Sequence, residues 1–166
     1  CHHLGHLKKP KVFIQNNMLE DIKKMLVKHE GLSCNLYKCT ANPPRNTIGV
    51  GRNLDDNGIS EDEAMYMLDN DIKRVIANLD KMWPVWRQLP LKAQMVSIDA
   101  TFQMGISGWM NFRHTRALME MGCFLEASEE ILRSRYATQT PNRAAYNSRQ
   151  LALCQNAKKN IRSTSK

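Results

Sequence analysis

No stretch of the chain stays apolar for the ~20 residues that a membrane-spanning helix needs, because charges recur throughout. A soluble protein without a transmembrane segment is therefore expected. Aromatic residues make up only 7%, too few for a platform on which single-stranded bases stack, and no nucleic-acid-binding motif is present. Nucleic acid is not the expected partner. The five cysteines, Cys1, Cys34, Cys39, Cys123 and Cys154, are odd in number and lack CxxC spacing. They are too sparse for a disulfide framework, which points to mostly free thiols from a reducing compartment. Repeats and low-complexity tracts are also missing. Acidic residues are outnumbered, with 16 Asp and Glu against 24 Lys and Arg, for a formal net charge of +8. Such a surface attracts polyanions through long-range, salt-screened forces.

What is present suffices for a folded domain. With 166 residues and a hydrophobic fraction of 42%, the chain can bury a core without staples, as one domain or as a small lobe joined to a larger one. Residues 1–17 read as an N-terminal arm, flexible or left over from processing or expression. The cluster Cys1, His2, His3 and His6 offers thiolate and imidazole groups, but terminal His-rich segments seldom hold a functional metal. No metal and no cofactor are expected.

From Asn17, a candidate cap, Leu19, Ile22 and Leu26 recur at helical steps with Met25 beside them, up to Glu30 and a stop at Gly31. Leu36-Tyr37 and Thr47-Ile48-Gly49-Val50-Gly51 are strand-like runs separated by a Pro- and Asn-rich turn. A small antiparallel sheet is predicted there. Ser60-Glu61-Asp62-Glu63 forms a capping box, followed by a long stripe of Ala64, Met67, Leu68, Ile72, Val75, Ile76 and Leu79. This predicts a connecting helix over 60–80. Pro84 and Pro90 bracket a short element. Beyond it Met95, Ile98, Phe102 and Met104 form a helical apolar segment, which Gly105 and Gly108 are expected to break. Shorter helices follow near 112–121 and 124–134, then one from Pro141, suited to a first helical turn, to about Lys158, before a tail over 160–166. The fold class is α+β: a first helix and sheet lobe over 18–59, the connecting helix, and an all-helical lobe over 81–159. A cleft between lobes is the expected binding site.

Glu30 ends the first predicted helix, where the negative end of the helix dipole disfavours an ionised carboxyl and so suits a general acid. Placement alone fits equally an exposed terminal glutamate. The wider pattern is more specific. Glu30-Gly31-Leu32, Leu36-Tyr37-Lys38 and Thr47 to Gly51 are joined further on by Phe102-Gln103-Met104-Gly105, by Leu125-Glu126-Ala127 to Ser134-Arg135-Tyr136, and by Gln139-Thr140-Pro141-Asn142-Arg143. In order and spacing, over roughly residues 18–150, these segments resemble the phage-type lysozymes.

The resemblance implies a lysozyme-like fold and a muramidase that cleaves β-1,4 bonds between N-acetylmuramic acid and N-acetylglucosamine in bacterial peptidoglycan, lysing the cell as endolysins do. It makes Glu30 the general acid, with Cys39 and Thr47 completing the catalytic set. Asn53, Phe102, Thr115 and Glu130 match substrate-binding positions. Arg143 would pair with Glu30, and Arg52 with Asp71. The best-known members carry Asp where this chain has Cys39, although eight residues still separate it from Glu30. A thiol ionises only near pH 8.5 unless positive neighbours such as Lys38 or Arg45 lower that value. As thiolate it could stabilise oxocarbenium charge, orient water with Thr47, or attack carbon. The segment from Cys39 to Thr47 is two residues longer than the family's usual gap, so Thr40 is the alternative to Thr47.

Two other functions fit the composition: a catalytically weak peptidoglycan-binding homologue, motivated by Cys39, and a cationic membrane-disrupting protein. Anionic wall polymers are expected partners through the net charge, and a monomer is expected. The expected place of action is the cell wall or periplasm after synthesis in the cytoplasm, or outside the cell if a signal was removed.

Overall fold

In a computed structural model the protein is described over residues 16–163, with side chains over 17–155. The cluster at Cys1, His2, His3 and His6, most of the arm over 1–17, and the end of the tail lie outside the described residues. Those described fall into two units, with the boundary between Glu61 and Asp62.

The first unit opens with α1, Asn16–Glu30. Asn17 therefore lies inside the first turn and is not the cap. Gly31 stops the helix in a left-handed conformation, φ 76°, while its amide still donates to the Val27 carbonyl at 2.9 Å. Only glycine adopts that turn without a Cβ penalty. Of the predicted stripe, Ile22 is half-buried, whereas Leu19, Met25 and Leu26 are exposed.

Three antiparallel strands follow in the order β1-β2-β3: Ser33–Lys38, Asn46–Gly49 and Arg52–Asn53. Tyr37 stands opposite Thr47 and Lys38 opposite Asn46, with an irregularity toward the Ser33–Gly49 pair. On the other edge of β2, Thr47 faces Asn53 and Ile48 faces Arg52. Thr47 is thus on the central strand, and at 3% exposure it is buried. The Pro-rich turn links β1 to β2 as predicted, with a cis Asn42–Pro43 bond. A one-turn helix, α2, Leu54–Asn57, closes the unit.

The second unit is helical. α3 runs Glu61–Met82, directly after the capping-box serine, and a 3-10 turn occupies Pro84–Gln88. α4 spans Leu91–Met110, followed by α5, Arg113–Glu120, α6, Phe124–Leu132, α7, Arg135–Gln139, and α8, Pro141–Ser163. The short α7 was not anticipated, and α8 extends beyond the expected end. Gly105 does break α4, with φ 76° and ψ 164°. Gly108 does not: it is helical, and a Cβ there would stand 2.9 Å from Met104 Cγ, so glycine serves close packing.

The buried face of α4 also differs from the predicted one. Ala93, Val96, Ser97, Ala100 and Thr101 are buried, whereas Met95 and Phe102 are more than 40% exposed. A helix apolar on most sides does not reveal by periodicity which side faces inward. The core gathers Leu79, Trp86, Val96, Trp109, Met119, Phe124, Ile131 and Leu151, all nearly inaccessible. Each large side chain so buried contributes roughly 1.5–3 kcal/mol. A chain of rings continues the core: Trp83 edge-on to Trp109 at 6.0 Å, Trp109 stacked on Phe112 at 5.6 Å, and Phe112 edge-on to Tyr136 at 6.1 Å. The buried Trp86 places its indole N–H on Asp80 at 2.9 Å, and Arg87 holds the same carboxylate from the other side. Among the described residues no helix is long and apolar enough to cross a membrane.

Candidate active site

The first unit brings Glu30, Cys39 and Thr47 onto one short helix-and-sheet framework. Glu30 is exposed, and its carboxyl lies over the turn between β2 and β3: its Oε2 is 3.4 Å from where a Cβ on Gly51 would stand. Gly51 has φ 70°. Glycine is favoured here for its left-handed backbone, while a Cβ would meet the acid only at ordinary contact distance.

Cys39 is partly buried just past the end of β1. The turn folds back so that the Cys39 amide donates to the Arg45 carbonyl at 3.0 Å, and the Arg45 amide donates to Cys39 Sγ at 3.3 Å. The thiol ionises more easily than usual. The Arg45 amide is the largest cause and the Ala41 amide the next; burial opposes them by less than either, and the Thr47 side chain adds a smaller lowering still. These groups point partial positive charge at a sulfur that becomes negative. The sequence pointed to the charge of Lys38 or Arg45, but Arg45 acts through its backbone. Its guanidinium faces Asp56 at 3.7 Å.

Thr47 Oγ donates to the Arg45 carbonyl at 3.1 Å. Its neighbour Asn46 is clamped by Asp55, which accepts from the Asn46 amide at 2.9 Å and from its side chain at 2.8 Å. These bonds hold the Asp55 carboxyl below the usual carboxylate range. The Cys39 turn and β2 are thus tied together at both ends.

Asn53 has a structural task. Its Oδ1 caps α2 by accepting from the Asp55 and Asp56 amides, and its Nδ2 donates to Asp56 Oδ2 at 2.7 Å. One side-chain N–H is left for any other partner. Arg52 stands beside it in β3.

In the second unit, Arg143 forms a bidentate pair with Asp99, Nη2 to Oδ1 at 2.6 Å and Nε to Oδ2 at 2.9 Å, and Asn147 donates to the same carboxylate at 2.7 Å. Burial opposes the charge on Asp99, but the bonds from Arg143 and Asn147 outweigh it and hold the carboxyl below its ordinary range. Arg143 is raised correspondingly by Asp99. Asn147 also reaches the Tyr136 hydroxyl at 2.9 Å. The sequence reading missed Asp99, Asn147 and Tyr136 as a network. An aspartate inside an otherwise apolar helix was the available signal.

Asp71 pairs with Arg74 one turn along α3. Phe102 lines two cavities of about 300 and 330 Å³, the first shared with Asp71 and the second with Asp99 and Arg143. Thr115 and Glu130 line a third of about 530 Å³, where Arg133 holds Glu130 at 3.4 Å. Among the described residues no His, Cys, Asp and Glu cluster could hold a metal ion, and Cys34, Cys39, Cys123 and Cys154 are free thiols.

A family model described as phage lysozyme matches residues 27–150. The chain is 26% identical over 156 residues to Probable T4-type lysozyme 2 of Dictyostelium discoideum, covering 76% of this chain and 91% of that protein. It is 29% identical over 86 residues to Probable T4-type lysozyme 1 of the same organism, covering 51% of each. The matched segment begins just before Glu30 and contains the whole sheet, α3 to α7 and the first half of α8, so the chain belongs to the phage lysozyme family.

Proposed function

We propose that the protein is a muramidase that hydrolyses the β-1,4 bond between N-acetylmuramic acid and N-acetylglucosamine of bacterial peptidoglycan and so lyses bacteria. The observation that carries this reading is the Cys39 turn: two amides and the Thr47 hydroxyl favour a thiolate on the same framework that presents the Glu30 carboxyl.

In this reading Glu30 donates its proton to the glycosidic oxygen as the C1–O bond breaks. Water attacks C1 from the opposite face and gives up its proton to the Cys39 thiolate. The thiolate also offsets oxocarbenium charge, and Thr47 helps hold the water. The product is inverted at the anomeric carbon. Asn53, Phe102, Thr115 and Glu130 are assigned to substrate binding, and Arg143, Arg52 and Asp71 to supporting positions. The net charge of +8 draws the enzyme to anionic wall polymers.

The test compares wild type with Cys39→Ala, Cys39→Ser and Cys39→Asp on purified peptidoglycan, recording both the rate and the anomer released. Losses in Cys39→Ala and Cys39→Ser with rescue by Cys39→Asp, and an inverted product, support the mechanism. Full activity in Cys39→Ala removes Cys39 from it, and retention of configuration assigns it a covalent role instead.

A further inference from the structure

α3 and α4 line a cavity of about 300 Å³. Its apolar wall comes from Val75 on α3 and from Ile106 and the exposed ring of Phe102 on α4. Such a wall suits a methyl group or the face of a sugar ring, both of which gain by leaving water.

The polar wall is set apart by Thr101. This residue lines the same cavity and is 2% exposed, yet its hydroxyl has no hydrogen-bond partner. A hydroxyl inside a helix can bond back to the carbonyl one turn earlier, as Ser97 does to Ala93 at 2.9 Å on this same helix. Thr101 does not. A buried hydroxyl left unpaired costs free energy, which a ligand that brings an acceptor recovers.

The charges of the wall cancel. Asp71 and Arg74 line the cavity and pair with each other. Asn78, exposed on α3, adds a side-chain amide with both a donor and an acceptor. A neutral ligand is therefore favoured over an ion. One that joins a carbonyl, an N–H and a methyl matches this wall, and the acetamido group of an amino sugar has all three.

We infer that this cavity is a subsite for one N-acetylated amino sugar of the glycan strand, and that Thr101 and Asn78 select its acetamido group. The carbonyl accepts from the Thr101 hydroxyl, the N–H donates to the Asn78 side-chain oxygen, the methyl rests on Val75 and Ile106, and the ring lies against Phe102. This deepens the assignment of Phe102 to substrate binding and rests on that part of the proposed function.

The experiment is a titration of the full chain with the β-1,4 trimer of N-acetylglucosamine, followed by amide NMR shifts. The β-1,4 trimer of glucose, equally neutral but with hydroxyls in place of acetamido groups, is the control. Expected is saturable binding of the acetylated trimer, with the largest shifts from Thr101 to Ile106 and an affinity at least about tenfold above that of the control. Thr101→Val should weaken the acetylated trimer by about tenfold and Thr101→Ser restore it, with the glucose trimer unaffected by either. Removing an unpaired hydroxyl should not lower the melting temperature. Asn78→Ala, at an exposed position, is a second variant expected to lose the same selectivity. Equal affinity for the two trimers, both variants binding like wild type, or a marked drop in the melting temperature of Thr101→Val, which would mean that the hydroxyl is engaged within the fold, would each overturn the inference. Turnover is read separately: a wild type that binds the acetylated trimer selectively but leaves peptidoglycan uncut would sink the glycosidase reading alone.

Discussion

At the scale of single residues the account turns on a cysteine where an aspartate is usual. Cys39 works only as thiolate, and its ionisation is eased by the Arg45 and Ala41 amides and the Thr47 hydroxyl. A group whose folded value is depressed keeps its charge down to that value, and loses it, with the stability it lends, as pH falls further. The acidic limb of the wild-type pH–rate profile is therefore expected to follow the thiol, below the ordinary thiol value. In Cys39→Asp that limb moves down by several pH units, toward carboxylate ionisation near 4. Matching profiles for the two proteins would show that residue 39 is not the titrating group. Gly51 gives a second prediction. Its backbone is left-handed at φ 70°, which strains any residue with a Cβ, and that Cβ would lie in contact with Glu30 Oε2 at 3.4 Å. Gly51→Ala should cost about 1 kcal/mol of stability through that backbone strain, and any relaxation of the turn beneath Glu30 should lower kcat more than KM; thermal melts with steady-state kinetics decide this.

At the scale of elements, the second unit is locked where α4 meets α8. Asp99 on α4 is held by Arg143 and Asn147 on α8. Its folded-state value is lowered, so its contribution is complete above the unfolded value near 4 and is lost as pH drops through the folded one. Asp99→Asn is expected to destabilise the protein at pH 7 by about 1 kcal/mol after allowing for partial exposure, and the gap from wild type should close below about pH 4. Melting temperatures across that range test the sign.

These elements also show where the sequence was legible. Helices with strong periodicity and clear punctuation, such as α1 ending at Gly31 or α3 after Ser60, could be read nearly to the residue. The β1–β2 hairpin followed from its Pro-rich turn, and Glu30, Cys39 and Thr47 from spacing within a resemblance. The inward face of α4 could not be read, because apolar residues lie on most of its sides and tertiary packing selects among them. Asn53 was legible as a site residue but not as the cap of a one-turn helix, since capping depends on where the chain turns. The Asp99 network joins residues more than forty positions apart, and no local pattern encodes that.

At the scale of the whole molecule, the excess of basic residues sets how the protein meets a polyanionic wall. The attraction is screened over about 8 Å at physiological salt. Lysis of whole cells should therefore fall with added salt, while hydrolysis of short neutral glycan fragments falls much less. Equal salt dependence for both would take the net charge out of the account. The direct test of the central claim is reducing-sugar release from purified peptidoglycan by Glu30→Gln, with folding verified by its melting temperature. A general acid contributes about 10²–10⁴-fold, so the account predicts a loss of at least about a hundredfold in kcat with the fold intact. A rate within twofold of wild type would contradict it.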